Sequence, residues 1–372
     1  MTTITQNMLN RARGSLFGGA VGDALGYAVE FMSLNAILKQ YGNQGITKYD
    51  LGGDGAAEFS DDTQMSLFTA EGLLNAVAAG KKTPKDTLPF IEDAYMTWYH
   101  TQTRHPFKSP TSWLSSVEAL WSQRAPGNTC MSALSALGRG PVINNSKGCG
   151  GVMRVAPIGI YSAAHPLEMP LEEAGYLAAY ASDVTHKHPL STYSSMALAM
   201  IVADCMAHDN VDREKFRFIV IDRVLKLIGI SHRDSDFHHL KALLQKALDL
   251  AVSDTSDFDA IRQLGEGWVA EETLAIAVFS VMRYIDDFEK CVVCSVNHDG
   301  DSDSTGAVAG NIIGAILGYE AIPQKFKSAL EVHDVILSMA ADLCGMSSPE
   351  QMHMRYGEHL PVGVPANYLI EE

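Results

Sequence analysis

The 372-residue chain is short of positive charge. It has 28 Lys and Arg against 44 Asp and Glu, which gives a formal net charge of −16. Binding to a nucleic-acid backbone needs cations that displace counterions, so this balance argues against direct nucleic-acid binding. Long uninterrupted apolar runs and an apolar leader segment are also missing, which argues against a membrane span and a secretory signal. We therefore expect a soluble, cytoplasmic protein without a membrane partner.

Cysteine is scarce as well, with six residues in a chain too large to need disulfide bonds. Cys291 and Cys294 form a C-x-x-C pair, but no second pair follows at the spacing of a zinc site. Their segment, FEKCVVCSVN, has a helical pattern. We interpret them as two buried thiols on one helix face.

Alternating β-branched stretches between tight turns are rare, whereas apolar residues recur at helical spacing in most of the chain. Even FRFIVIDRVLKLIGI, which is rich in β-branched residues, has the length and the basic last turn of a helix. No low-complexity linker divides the sequence. We predict an all-α fold with one domain over residues 1–372 and a core from about 11 to 345. We interpret 232–266 and 105–113 as connections, and the chain from Gly345 onward as an irregular C-terminal tail.

Glycine is concentrated in two stripes. Two sets of four share a spacing of four residues: Gly14, Gly18, Gly22 and Gly26, and Gly306, Gly310, Gly314 and Gly318. Four residues is about one helical turn, so each set lies on one helix face. Each glycine costs about 1 kcal/mol relative to alanine in a helix, so a stripe indicates that another backbone approaches closely. We infer that these helices run through the centre, where they could pack against each other.

Two acids lie in the almost uncharged segment GGAVGDALGYAVEF. Asp23 and Glu30 are seven residues apart, about two helical turns, which would place both carboxylates on one face of a continuous helix. An acid in such apolar surroundings needs a partner or a cation. We interpret Asp23 as a structural acceptor for backbone donors and Glu30 as a functional residue.

A second acidic group, Ser60-Asp61-Asp62-Thr63, stands directly before a helical stretch. One such residue is an ordinary N-cap, but two adjacent acids between two hydroxyl groups exceed what a cap requires. From these residues alone, a cap and a functional site both remain open. The pair Asp286-Asp287 lacks flanking hydroxyl groups, and we interpret it as a solvated loop or a helix start.

The third acidic group alternates acids with serines from Asp299 to Ser304 and opens the second glycine-striped helix. Such an array of hard oxygen ligands suits Mg²⁺, Mn²⁺ or Ca²⁺. An EF-hand does not fit, because counting from Asp301 puts Ile312 at the twelfth position, where a bidentate Glu is required. Counting from Asp299 puts Ser304 at the sixth position, where glycine is required. Several carboxylates here would offset both an ion and the positive end of the helix.

Three further segments have weaker patterns. The loop from Lys147 to Arg154 has three glycines in four residues, and it either forms a plain turn or presents backbone N–H groups to a phosphate. His186 follows a helix, and a lone histidine of this kind is more often structural than catalytic. A helix start explains the segment from Gly265 to Glu272.

Together and in this order, these segments resemble the ADP-ribosylglycohydrolase family, from Arg11 to about Tyr319. The matching motifs are Gly18–Glu30 (G-x-x-x-G-D-A-L-G with a later Glu), Ser60–Thr63 ([ST]-D-D-T), the Gly148–Arg154 loop, Ser182–His186 (S-x-x-T-H), Trp268–Glu272 (W-V-A-E-E) and Asp301–Ser304 (D-[ST]-D-[ST]). The resemblance implies an all-α bundle with central glycine-striped helices and a binuclear Mg²⁺ or Mn²⁺ centre at the base of an ADP-ribose cleft.

The resemblance also implies residue roles. The implied metal ligands are Ser60, Asp61, Asp62, Asp301, Asp303 and Ser304. The implied catalytic residues are Glu30, as a mobile acid near the scissile bond, with Asp61 and Asp62. The implied substrate-binding residues are Gly148, Cys149, Gly150, Gly151, Val152, His186 and Gly267. Ser60 and Ser304 replace the common threonine but keep the hydroxyl ligand. Cys149 replaces the usual Asn or Ser and so changes a side chain near the ligand.

The implied function is a metal-dependent hydrolase that removes mono-ADP-ribose from modified proteins, with arginine as the expected linkage. Cleavage of this glycosidic bond develops oxocarbenium character, which metals and a carboxylate such as Glu30 can assist. A two-carboxylate glycosidase mechanism is the alternative, and the net charge disfavours a polyanionic polymer as substrate. The other open functions are a non-catalytic or dual-role immunity protein that blocks an ADP-ribosyltransferase partner, and a hydrolase of a serine, nucleotide or small-molecule ADP-ribosyl linkage.

Overall fold

The apolar repeats of the sequence form helices. The computed structural model describes residues 6–53, 55–103, 112–137 and 139–356. Within these ranges the regular structure is helical apart from two isolated β-bridges, between residues 57 and 330 and between residues 148 and 269. The predicted all-α class is therefore confirmed.

The helices follow one another through connections of varied length, the longest of which precede α3, α5 and α6. In the first half of the chain they are α1 Gln6–Tyr27, α2 Leu34–Tyr41, α3 Asp61–Ala78, α4 Pro84–Thr103, α5 Asn128–Ala136, α6 Ala156–Ala164 and α7 Leu171–Asp183. In the second half they are α8 Pro189–Ala207, α9 Arg213–Phe218, α10 Lys226–Ser231, α11 Ser235–Ala251, α12 Asp257–Leu264, α13 Ala270–Arg283, α14 Phe288–Val296, α15 Ser302–Leu317, α16 Gln324–Lys327, α17 His333–Leu343 and α18 Pro349–Tyr356. Short 3₁₀ turns are Leu114–Ser116, Glu118–Trp121, Cys149–Gly151 and Tyr319–Ala321, and a π-helical segment, Ile219–Leu225, joins α9 to α10.

The two glycine stripes meet at the centre of the fold. Helices α1 and α15 run antiparallel, and a Cβ atom built on Gly22 would lie only 1.9 Å from the carbonyl oxygen of Gly306. The same register is repeated along the interface by Gly14 with Gly314, Gly18 with Gly310, and Gly26 with Ser302. Backbone therefore packs directly on backbone, which confirms the inference that both helices are central and shows that they pack against each other.

Polar bonds fix the register of this contact. The Ser15 hydroxyl donates to the carbonyl oxygen of Asn311 at 2.9 Å, and the Asn311 amide donates to the carbonyl oxygen of Ser15 at 2.9 Å. The Asn311 side chain lies over Gly19, where an added Cβ would come within 1.8 Å of its Nδ2 atom. Both residues are buried, so each bond satisfies polar groups that water cannot reach.

Helix α8 is a core helix. Its 19 residues are long and apolar enough to cross a membrane by length and composition, but 89% of the relevant window is buried inside the protein. It packs against α6, α7 and α15. The two cysteines of α14, Cys291 and Cys294, are also buried, which agrees with their interpretation as core thiols.

Two expectations need correction, and a third is untested. The stretch 232–266, expected to be a connection, holds α11 and α12, because Asp234 and Ser256 cap them and their apolar sides pack on the core. The chain after Gly345 is not wholly irregular, because α18 is held where the Tyr356 hydroxyl donates to Asp342 at 2.8 Å. Most of the other expected connection, 105–113, lies outside the described residues, as does the chain beyond Tyr356.

The close approach of α1 and α15 predicts that a larger residue at the contact destabilises the protein. We expect Gly22→Ala to lower the free energy of unfolding by about 2 kcal/mol or more, because the new methyl group displaces backbone. This loss should exceed the roughly 1 kcal/mol that alanine gains in a helix. Urea unfolding measures it. Gly175→Ala in α7 is the matched control, since its methyl group meets only flexible methionine side chains, the nearest atom being Met200 Sδ at 2.8 Å. Equal stability of the two variants would contradict the close contact.

Candidate active site

One cavity of about 530 Å³ lies where the end of α1 meets the starts of α3 and α15. The antiparallel pairing explains this location, because it sets the C-terminal end of α1 beside the N-terminal end of α15. The predicted site residues that line the cavity are Glu30, Asp61, Asp62, Gly148, Cys149, Gly150, His186, Asp301, Asp303 and Ser304. The other predicted residues are sequence neighbours of lining residues but are not among them: Ser60, Gly151, Val152 and Gly267. Segments far apart in the sequence therefore meet at one place.

Asp23 joins α1 to the start of α3. One of its carboxylate oxygens accepts a hydrogen bond from the Ser60 backbone N–H at 2.8 Å. The other accepts from the Thr63 backbone N–H at 2.9 Å and from the Thr63 hydroxyl at 2.5 Å. Burial and the charge of Asp303 raise the pKa of Asp23 to about 7. The side chain thus has the structural role that the sequence indicated.

The Ser60–Thr63 group is a helix cap followed by two buried acids. Ser60 caps α3, because its hydroxyl oxygen accepts from the Asp62 backbone N–H at 3.2 Å. Asp61 and Asp62 face the cavity, and Asp61 also accepts from the Gly127 backbone N–H at 3.1 Å. The Asp62 Oδ2 atom is buried and has no hydrogen-bond partner among the described residues. A cap explains Ser60 but not the buried acids beside it.

Glu30 does not share a helix with Asp23, which corrects the expectation from spacing. Helix α1 ends at Tyr27, where it passes the start of α15, and Glu30 lies in the turn that follows. This turn is closed by backbone hydrogen bonds from Val29 to Gly26 and from Met32 to Val29, both 2.9 Å. The Glu30 carboxylate still reaches the cavity because the turn folds back over the start of α15.

The third acidic group completes the cavity floor. Asp301 caps α15, and both Asp301 and Asp303 accept from the Ser304 backbone N–H, at 3.3 and 2.9 Å. Carboxylate oxygens of Glu30, Asp301 and Asp303 lie within 4.8 Å of one another. All three side chains are buried. Carboxylates this close repel one another unless protons or cations lie between them.

The electrostatics of the cluster favour a cation. Burial, with the charge of Asp303 next, raises the pKa of Glu30 to about 9 and raises those of Asp62 and Asp301 well above their usual values. Among the described residues, no Lys or Arg forms an ion pair with these acids. The Glu30 Oε2 atom, like Asp62 Oδ2, is buried and has no hydrogen-bond partner in the described part of the chain. Carboxylate oxygens that have no cationic partner suit a hard divalent ion, which prefers oxygen ligands.

The glycine-rich loop forms one wall and is joined to the segment before α13. The Cys149 backbone N–H donates to the carbonyl oxygen of Trp268 at 3.3 Å, and the Ala270 N–H donates to the carbonyl oxygen of Lys147 at 2.8 Å. The Lys147 side chain pairs with the buried carboxylate of Glu271. The loop is thus a 3₁₀ turn held firmly in place, with a cation at its start.

His186 is held as a neutral hydrogen-bond donor. The buried Arg154 guanidinium donates to the Thr185 hydroxyl oxygen at 2.7 Å, and this oxygen lies 2.8 Å from His186 Nδ1. Since Arg154 can only donate, we assign the Thr185 proton to His186 Nδ1 and a hydrogen to His186 Nε2. Burial and the Arg154 charge lower the pKa of His186 to about 3. The Nε2 atom lies against the loop, 3.2 Å from where a Cβ of Gly148 would stand.

Ten lining residues were not identified as site residues in the sequence: Phe31, Gln123, Ala125, Pro126, Gly127, Asn128, Thr129, Cys130, Met153 and Trp268. Phe31 and Trp268 line the same cavity, and both rings are exposed. Trp268 was noted only as part of a motif. The signal that could have revealed Phe31 is a large aromatic residue directly after the functional Glu30, but exposure cannot be read from a single sequence.

Comparisons with known proteins agree with this geometry. A family model described as ADP-ribosylglycohydrolase matches residues 4–351. The ADP-ribosyl-dinitrogen reductase glycohydrolase of Rhodospirillum rubrum is 26% identical over 337 residues, which cover 87% of this chain and 91% of that protein. The ADP-ribosylarginine hydrolase Tri1 of Serratia proteamaculans is 25% identical and covers 92% of this chain and 81% of its own. A solved ADP-ribosylglycohydrolase-related protein complex shares the fold, with a TM-score of 0.62, 24% identity and coverage of 92% of this chain and 100% of its own.

The Arg154–Thr185–His186 chain makes a testable prediction. Because burial and Arg154 hold its pKa at about 3, the His186 imidazole should stay neutral between pH 5 and 8, with its hydrogen on Nε2. Thr185→Val removes the hydroxyl donor and should give a mixture of tautomers, whereas Thr185→Ser should keep the single one. Imidazole ¹⁵N chemical shifts distinguish these states. A wild-type His186 that titrates near pH 6.5 would contradict the assignment.

Proposed function

Because this chain belongs to the ADP-ribosylglycohydrolase family, we propose that it is a metal-dependent hydrolase that removes mono-ADP-ribose from modified proteins, with arginine as the linkage. The observation that carries this proposal is the buried set of carboxylates facing a glycine-rich loop across one cavity. A charged diphosphate needs hydrogen-bond donors, which the glycine-rich loop has. Cleavage of a glycosidic bond needs acids, which the carboxylates provide.

The acidic wall has the composition of a two-cation site. Ser60, Asp61, Asp62, Asp301, Asp303 and Ser304 would hold two ions, Mg²⁺ or Mn²⁺, which when bound would supply Lewis acidity to ribose hydroxyl groups and water. The support for this assignment is an all-oxygen donor set with buried, unpartnered carboxylate atoms. Asp23 stays outside the set, because backbone and hydroxyl donors already occupy its two oxygens.

In the proposed reaction the bond between the anomeric carbon and the guanidine nitrogen breaks. The water oxygen joins the anomeric carbon, and one water proton ends on the departing nitrogen. Glu30, in the turn after α1, would accept the proton from water or deliver it to the leaving group. His186 would donate from Nε2 to an oxygen of the substrate, and backbone N–H groups of the glycine-rich loop would bind the diphosphate.

Two observations support the choice of substrate. The net charge of −16 repels a long polyanion such as the ADP-ribose polymer, so a single unit is favoured. The relative from Serratia proteamaculans is named as an ADP-ribosylarginine hydrolase.

The cation assignment can be tested through Asp303. We expect Asp303→Asn to melt at a higher temperature than wild type without metal, because one charge leaves a crowded acidic cluster. The rise in melting temperature on adding Mg²⁺ or Mn²⁺ should shrink, and turnover should fall by roughly 10²-fold or more. Asp286→Asn, at an exposed acid, is the matched control. A full metal response and full turnover in Asp303→Asn would exclude this residue as a ligand.

The substrate can be tested with matched peptides that carry ADP-ribose on arginine or serine, together with the polymer. We expect the largest kcat/KM for the arginine conjugate and negligible release from the polymer. Glu30→Gln should lower kcat by roughly 10²-fold or more while calorimetry shows that ADP-ribose still binds. Faster cleavage of the serine conjugate would overturn the arginine linkage. Tight ADP-ribose binding without any turnover would instead favour a non-catalytic binder.

A further inference from the structure

Two aromatic rings stand exposed at the mouth of the acidic cavity. Phe31 is 77% exposed and Trp268 is 40% exposed, and both line the cavity that contains Glu30. Their ring centroids are 6.1 Å apart and their planes differ by 22°, so the rings are nearly parallel. A paired, exposed aromatic surface beside an active-site carboxylate is the kind of feature that marks a binding site.

The backbone around both rings is held in place. On one side, the Leu34 backbone N–H donates to the Asp299 carboxylate at 2.7 Å, which ties the segment after Phe31 to the start of α15. On the other side, the carbonyl oxygen of Trp268 accepts from Cys149 in the glycine-rich loop. Val29 and Leu34 of the same segment are buried, whereas the Phe31 side chain points outward. The exposed ring is therefore not a displaced core residue.

We propose that Phe31 and Trp268 form the subsite for the side chain that carries ADP-ribose, and that they select a guanidine by stacking on its planar cation. This inference rests on the proposed function and adds the residues that set its linkage preference. A cation over an aromatic face is attracted by the ring quadrupole, and arginine also stacks as a flat group.

The position of the rings supports a guanidine rather than a serine side chain as the group bound there. Glu30, which lines the cavity, is adjacent to Phe31 in the chain, so the rings stand next to the proposed reaction site. The glycine-rich loop proposed to bind the diphosphate lines the interior of the same cavity, so ADP-ribose would fill the cavity and leave the conjugated side chain at the mouth. A serine conjugate presents no cation and no flat group, and would gain little from the rings.

The test compares Phe31→Leu, which keeps apolar bulk but removes the aromatic face, with Phe31→Tyr, which retains the face. The substrates are two peptides that differ only in carrying ADP-ribose on arginine or on serine. We expect Phe31→Leu to lower kcat/KM for the arginine conjugate by roughly 3- to 30-fold, mainly through KM, with a smaller loss on serine. Phe31→Tyr should keep the wild-type ratio between the two conjugates. Because Phe31 is exposed, the variants should fold, which melting temperatures check.

The outcomes separate this inference from the proposed function. A wild-type protein that hydrolyses the arginine conjugate, but whose ratio between conjugates is unchanged in Phe31→Leu, overturns the aromatic subsite alone. An equal loss on both conjugates does the same, because it indicates a general structural role. A wild-type protein inactive on the arginine conjugate overturns the proposed function and this inference with it. A selective loss on arginine, with ADP-ribose affinity retained, supports the subsite.

Discussion

The direct contact between the backbones of α1 and α15 is the constraint on which the site depends. Glycines along both helices remove every side chain that would hold them apart, as at Gly22 and Gly306. Since the helices are antiparallel, this contact sets the end of α1 beside the start of α15. Asp23 then fixes the start of α3 at the same point through its hydrogen bonds to Ser60 and Thr63. Three chain segments that bear acids therefore meet at one point.

This arrangement is favourable for chemistry and costly for folding. The acids at the starts of α3 and α15 gain from the positive ends of those helices, but two helix ends cannot neutralise a whole cluster of buried carboxylates. Burial raises the pKa values of Glu30 and Asp62. Among the described residues, Glu30 Oε2 and Asp62 Oδ2 have no hydrogen-bond partner. A fold that tolerates this cost needs strong packing elsewhere, and the glycine-lined contact at the centre provides it.

The sequence predicted features that depend on local pattern, and missed those that depend on distant neighbours. Glycine spacing predicted the central helices, because one helical turn is a local property. The acidic motifs predicted the carboxylates that line the cavity, because those residue types have few other uses together. The end of α1 before Glu30 could not be read, since it depends on where α15 begins. The exposure of Phe31 and the neutral state of His186 depend on segments far away in the chain, so spacing alone could not reveal them.

The β-bridge between Gly148 and Val269 has a mechanical consequence. It joins the glycine-rich loop on one wall of the cavity to the segment that carries Trp268 at the mouth. A shift of one of these segments must therefore move the other, so the two halves of the proposed substrate would be energetically coupled. By thermodynamic reciprocity, the nucleotide half would improve binding of the attached side chain as much as that side chain improves binding of the nucleotide. Cleavage of the linking bond would remove this coupling and favour release of both products.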